Sequence, residues 1–108
     1  MTIFDERERA FEQMFVHDEE MRFRALARRN KLIALWAARQ LGMRENEADR
    51  YVRETVETVL ASDGDERVLR KLASDLADAS SYWTEGRLRQ VMGEFMVKAA
   101  TEIRMQVV

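Results

Sequence analysis

One histidine, His17, and no cysteine set a narrow limit on what the chain can do chemically. A lone imidazole cannot make a His/His metal pair. Without thiols there is no thiolate site, no cysteine nucleophile and no disulfide scaffold. Carboxylates are plentiful, 20 in 108 residues, so a pair of acids is the cheapest catalytic scheme. None of them sits in an apolar context that would lift its pKa, and Asp65-Glu66 reads as a helix cap with its dipole partner. Asp63-Gly64-Asp65 is too short to hold the spaced oxygens of a calcium loop. The four glycines are scattered, so no phosphate-cradling loop is visible. A serine triad has no convincing partner in a histidine lodged within an acidic stretch. The sequence therefore predicts a non-enzyme, with no metal and no cofactor.

Recognition chemistry is better represented. Phe4, Phe11 and Phe15 are spaced by seven and four, an aromatic stripe on one side of a helix, with Met14 beside it. The other faces of this leader are charged. A helix so short is marginal in water without a surface to lie on. Periodicity leaves two readings open: the leader folds back over its own core, its acids against a basic helix, or it enters a groove on a partner. His17 and Asp18, at the junction with the rest of the chain, form a candidate pH-sensitive hinge, since neighbouring acids favour the protonated imidazole. Arg28-Arg29-Asn30-Lys31 has donors suited to phosphate, yet acidic blocks flank it and the pI is near 5.5. An exposed face neutralised by neighbouring acids is the better reading, and no nucleic-acid partner is expected.

These groups need helices to position them. Zero proline, four glycines and abundant Ala, Leu, Glu, Arg and Met make an all-α composition. At 46% hydrophobic the chain can build a modest core. A first core helix over 20–41 carries Phe23, Leu26, Ile33, Ala37 and Leu41, a line widened by Trp36 and interrupted by Asn30, and Gly42 supplies a left-handed C-cap. A second, over 46–61, starts from Asn46 as N-cap and buries Ala48, Val52, Val56, Val59 and Leu60. A third, over 65–80, is capped by Asp65 and carries Val68, Leu69, Leu72, Leu76 and Ala79. The last, over 84–105, is capped by Thr84 and carries Leu88, Val91, Met92, Phe95, Ala99 and Ile103, with Gly93 inside it as a possible point of close approach. Trp36 and Trp83 are expected as core-edge anchors, Trp83 plugging one end. Short loops make successive helices antiparallel neighbours. The expected architecture is an antiparallel four-helix bundle (20–108) preceded by an N-terminal segment (1–19) that is mobile or amphipathic-helical.

Charge comes in blocks. Residues 1–20 hold seven acids and two bases; 21–44 hold seven bases and no acid; 45–66 hold eight acids and two bases. Neighbouring helices are expected to pair along their solvated faces, at about 0–1 kcal/mol for each exposed pair. No apolar run is long enough to span a membrane, and the start of the chain turns acidic at once. A secretory leader would begin basic and apolar, so a cytoplasmic location is expected.

One part of the chain is recognisable. Phe4-Asp5-Glu6-Arg7-Glu8-Arg9-Ala10-Phe11-Glu12, then Phe15, His17-Asp18-Glu19-Glu20, Phe23, Ala27-Arg28-Arg29-Asn30-Lys31-Leu32 and Leu35-Trp36-Ala37-Ala38 closely resemble the opening of the zeta subunit of the alphaproteobacterial F-type ATP synthase. Asp65-Glu66, Val68-Leu69-Arg70-Lys71 and Asp75-Leu76 fit as well. The resemblance implies a four-helix bundle whose N-terminal helix enters a catalytic alpha/beta interface of the synthase head, reaches toward gamma and stops rotation and ATP hydrolysis. It puts the inhibitory contacts on Phe4, Asp5, Glu6, Arg7, Glu8, Arg9, Ala10, Phe11, Glu12 and Phe15. It further implies a monomer when free, a location peripheral to the inner membrane when bound, and no direct membrane insertion. The alternative is a small helical adaptor that uses the same leader on another partner.

Overall fold

The structure, a computed structural model, describes residues 18–107. Four α-helices and one short 3-10 turn account for most of them, and no strand occurs among the described residues. Helix α1 spans Glu19–Gln40, α2 Glu45–Glu57, α3 Gly64–Ala77 and α4 Glu85–Val107; the 3-10 turn is Thr58–Leu60.

The ends of α1 are set by local chemistry. The Asp18 carboxylate accepts the Met21 N–H at 3.0 Å, and Glu19 and Glu20 lie against the positive end of the helix dipole. At the other end Gly42 has φ +67, the left-handed C′ conformation predicted for it. Gly42 N–H donates to Arg39 O and Met43 N–H to Ala38 O, the paired bonds of a Schellman motif. At the start of α4 the Thr84 hydroxyl accepts the Arg87 N–H at 3.2 Å, which makes Thr84 the expected cap.

Two other caps differ from expectation. Helix α2 follows Arg44 rather than Asn46, with no side-chain cap. Helix α3 follows Asp63, and Asp65 lies in its first turn. The second helix gives way to the 3-10 turn after Glu57, and the third ends at Ala77, which leaves Ala79 exposed.

Helix α1 is the spine. Ile33, Ala34 and Ala37 join Tyr51 of α2, Val68, Leu69, Leu72 and Leu76 of α3, and Leu88 and Met92 of α4 in one buried cluster. Ala25 joins Met96, Ala100 and Ile103 in a second. The start of α1 therefore lies beside the end of α4, so the two run antiparallel. Small alanines on α1 let the helices approach closely while leucine and methionine fill the gaps. At the far end Trp36 meets Trp83 edge-on, with centroids 4.8 Å apart, and Phe95 at 6.3 Å. Tyr82 stacks edge-on against Trp83 under the Arg87 guanidinium.

The buried face of α2 is not the predicted one. Tyr51 and Thr55 are buried, Ala48, Val52, Val56 and Val59 are half-buried, and Leu60 is 77% exposed. The reason is a polar seam. Asn30, fully buried on α1, donates through Nδ2 to Thr55 O at 3.2 Å and to Thr58 Oγ1 at 3.4 Å. Thr58 Oγ1 donates to the same Thr55 carbonyl at 2.6 Å. Thr55 O also takes the Thr58 N–H where α2 ends, so the Asn30 amide of α1 finds its acceptor at that helix terminus. Giving the buried Asn30 amide its acceptor turns Tyr51 and Thr55, one helical turn apart, toward α1.

Candidate partner-binding surface

The sequence-predicted contact residues Phe4, Asp5, Glu6, Arg7, Glu8, Arg9, Ala10, Phe11, Glu12 and Phe15, and the hinge candidate His17, lie outside the described residues. Asp18 lies inside them. Its carboxylate caps α1, so the leader joins the helical body at a fixed point and with a fixed helix start.

A groove opens beside that point. Its floor is the outward face of α1 at Phe23 and Ala27, with Val56 of α2 on one side and Ile103 of α4 on the other. Arg24, Arg28 and Lys31 rim it, Gln106 closes one end, and it encloses about 450 Å³. No acid lines it. Phe23 is 46% exposed. This ring, expected in the core line of α1, faces outward instead. The Phe23–Ala27–Lys31 row, spaced by four, ends in a lysine, and that was the signal that this line turns outward.

The rim charges are engaged to different degrees. Arg24 pairs with Glu20 one turn earlier at 2.6 Å. Arg28 Nε lies 2.9 Å from Glu102 Oε2 across the α1–α4 contact, close enough to pair but off the hydrogen-bond direction. Lys31 is exposed and makes no ion pair among the described residues.

Arg29 departs from the expected solvated face. It is 1% exposed, its Nε donates to Asn30 Oδ1 at 2.8 Å and its Nη2 to Asp65 Oδ1 at 2.5 Å. The guanidinium thus pins the first turn of α3 to the middle of α1, and Nη1 is left buried without a hydrogen-bond partner. A nucleic-acid face built on Arg28-Arg29-Asn30-Lys31 loses its second and third donors to the interior. The other charge pairs between helices, Lys71–Glu54 and Arg89–Glu66, follow the expected solvated pattern.

A smaller hollow of about 280 Å³ lies where Leu26, Val59, Ala61 and Ser62 meet the first turn of α3. Its carboxylates are all taken: Asp63 by Arg67 and Arg70, Asp65 by Arg29, Glu66 by Arg89. No group of three or more potential metal ligands occurs among the described residues. No described helix is long and apolar enough to cross a membrane.

Perturbed titrations lie away from the groove. Burial, reinforced by the hydrogen bond to Asp75 at 2.7 Å, holds the Tyr51 phenol well above its ordinary range. Lys71 sits 4.4 Å over the same ring. Arg89 is raised by its hydrogen bond to Glu85. Neither group lines the groove or the smaller hollow; each is set by its packing and charge partners.

No curated protein matches the chain. A family model does, and it takes in both the leader and nearly all of the helical body: over residues 1–102 the chain fits the ATPase inhibitor subunit zeta, and it belongs to that family.

Proposed function

We propose that the chain is a non-enzymatic inhibitor subunit of the F-type ATP synthase whose N-terminal segment enters a catalytic alpha/beta interface of the head and blocks rotation and ATP hydrolysis. The observation that supports this most is that the family match begins at residue 1 and so includes the aromatic leader. Phe4, Phe11 and Phe15 are suited to anchoring in a cleft, and Asp5, Glu6, Arg7, Glu8 and Arg9 to setting register through ion pairs and hydrogen bonds. The helices over 20–108 act as a bundle-like handle that stays outside, and the Asp18 cap marks where the handle begins. The bound location follows that of the synthase: soluble side, peripheral to the inner membrane.

ATP hydrolysis by the cognate synthase head tests this. The full chain is expected to inhibit, and a variant lacking residues 1–17 with an unchanged helical spectrum is expected not to. Inhibition that survives the deletion overturns the role of the leader. No inhibition by the full chain favours an adaptor on another partner.

A further inference from the structure

Where does a greasy acidic leader rest when no partner is present? Three observations converge. The groove over α1 has an apolar floor that includes the half-exposed Phe23, and a rim of cations with no acid among its lining residues. Residues 1–17 carry Asp5, Glu6, Glu8 and Glu12 against Arg7 and Arg9, so their side chains are acidic on balance. The described chain begins at Asp18, five residues before Phe23 and on the groove's own floor helix.

Lengths agree. Phe23 to Lys31 spans about 12 Å of helix, and a helical stretch from Phe4 to Phe15 would span about 17 Å, at 1.5 Å per residue. A helix-to-helix reversal needs only about 2–5 residues, which Val16, His17 and Asp18 can supply.

We infer that the groove formed by Phe23, Ala27, Val56 and Ile103 under the Arg28 and Lys31 rim is the resting dock of this chain's own N-terminal segment. In the docked register Phe15 and Phe11 cover the floor, and Glu12 and Glu8 meet the rim cations. Lys31 is the strongest electrostatic contributor, because Arg24 and Arg28 already have carboxylates close by. Docking and engagement of a partner by the same phenylalanines exclude each other, so the dock sets how much of the free chain is ready to bind. The dock itself does not depend on the inhibitory reading and is tested without the synthase.

The absence of cysteine makes the test direct. A nitroxide is attached to a Gln13→Cys variant of the full chain, and amide signal loss is mapped by NMR. Docking predicts strong loss at Ala27, Lys31 and Gln106, and little at Val97 and Thr101, which are exposed on α4 outside the groove lining. A leader that merely sweeps around its anchor broadens all five, and that result overturns the proposal. A second arm adds Lys31→Glu, an exposed position at which folding is checked by helical content. Docking predicts that the loss at Ala27 and Gln106 falls sharply; an unchanged pattern overturns the assigned register and charge pairing. Loss of inhibition with the dock intact, or the reverse, separates this inference from the functional one.

Discussion

Arg29 is the residue on which the interior most depends. Its guanidinium is almost fully buried and has one carboxylate partner, Asp65, whose side chain is nearly half exposed. Removing the carboxylate strands the cation, so Asp65→Asn is expected to cost about 3 kcal/mol, the lower end for breaking a buried pair. Denaturant unfolding checks this, and a cost below about 1 kcal/mol would mean water already serves the guanidinium. Arg29→Lys is not conservative, because an ammonium cannot reach Asn30 and Asp65 as a fork does. Tyr51 makes a different prediction. Its phenol is raised in the folded state, so the folded chain holds that proton after the unfolded chain has released it. The linked stability is complete below about pH 10, the ordinary tyrosine value, and falls as pH rises beyond it. Tyr51→Phe should flatten that decline in thermal melts between about pH 9 and 11, and should cost about 1 kcal/mol at neutral pH for the lost bond to Asp75. An identical alkaline slope in the two proteins would refute the assignment.

At the scale of elements, Gly64, the first residue of α3, lies against Thr58, the first residue of the 3-10 turn. A Cβ placed there would stand 2.5 Å from the Thr58 carbonyl oxygen. Helix propensity alone favours Gly64→Ala by about 1 kcal/mol. Overpacking against backbone costs about 1–3 kcal/mol and should win, giving a net loss of stability measurable by chemical denaturation. Leu72, fully buried between α1 and α4 packing, should cost about 2–5 kcal/mol on truncation to Ala. The third and fourth helices were largely legible from apolar spacing: Val68, Leu69, Leu72, Leu76, Leu88, Met92, Ala99 and Ile103 are buried as read. The second was not. Its four valine and alanine positions suggested a buried stripe, but polar satisfaction at Asn30 and Thr55 decided its rotation, and such pairing across 25 residues of sequence leaves no periodic trace. For the same reason Arg29 looked like surface: a run of bases gives no sign of which one a distant aspartate will draw inside. Of the surface site, the leader stood out in the sequence through its phenylalanines, whereas the groove required α2 and α4 to flank α1 before it existed.

For the molecule as a whole, charge sorting joins folding to function. The basic stretch of α1 is divided between an interior anchor at Arg29, an interhelical pair at Arg28 and an exposed rim at Lys31. Lys31→Glu, an exposed substitution, should keep the parent's helical content and lose no more stability than docking supplies, about 1.4 kcal/mol for a leader docked nine-tenths of the time. If the leader is docked nine-tenths of the time, releasing it should improve apparent inhibition by about tenfold. A titration of ATP hydrolysis against each variant measures this, and weaker inhibition by Lys31→Glu would place the lysine on the synthase contact instead.

The two indoles meet edge to face at the end of α1 opposite Asp18, about 27 Å along the helix from it. Their ultraviolet emission therefore follows the collapse of the hydrophobic interior. A fluorimeter watching native light alone would record the unfolding of that end of the helical body as a single two-state event.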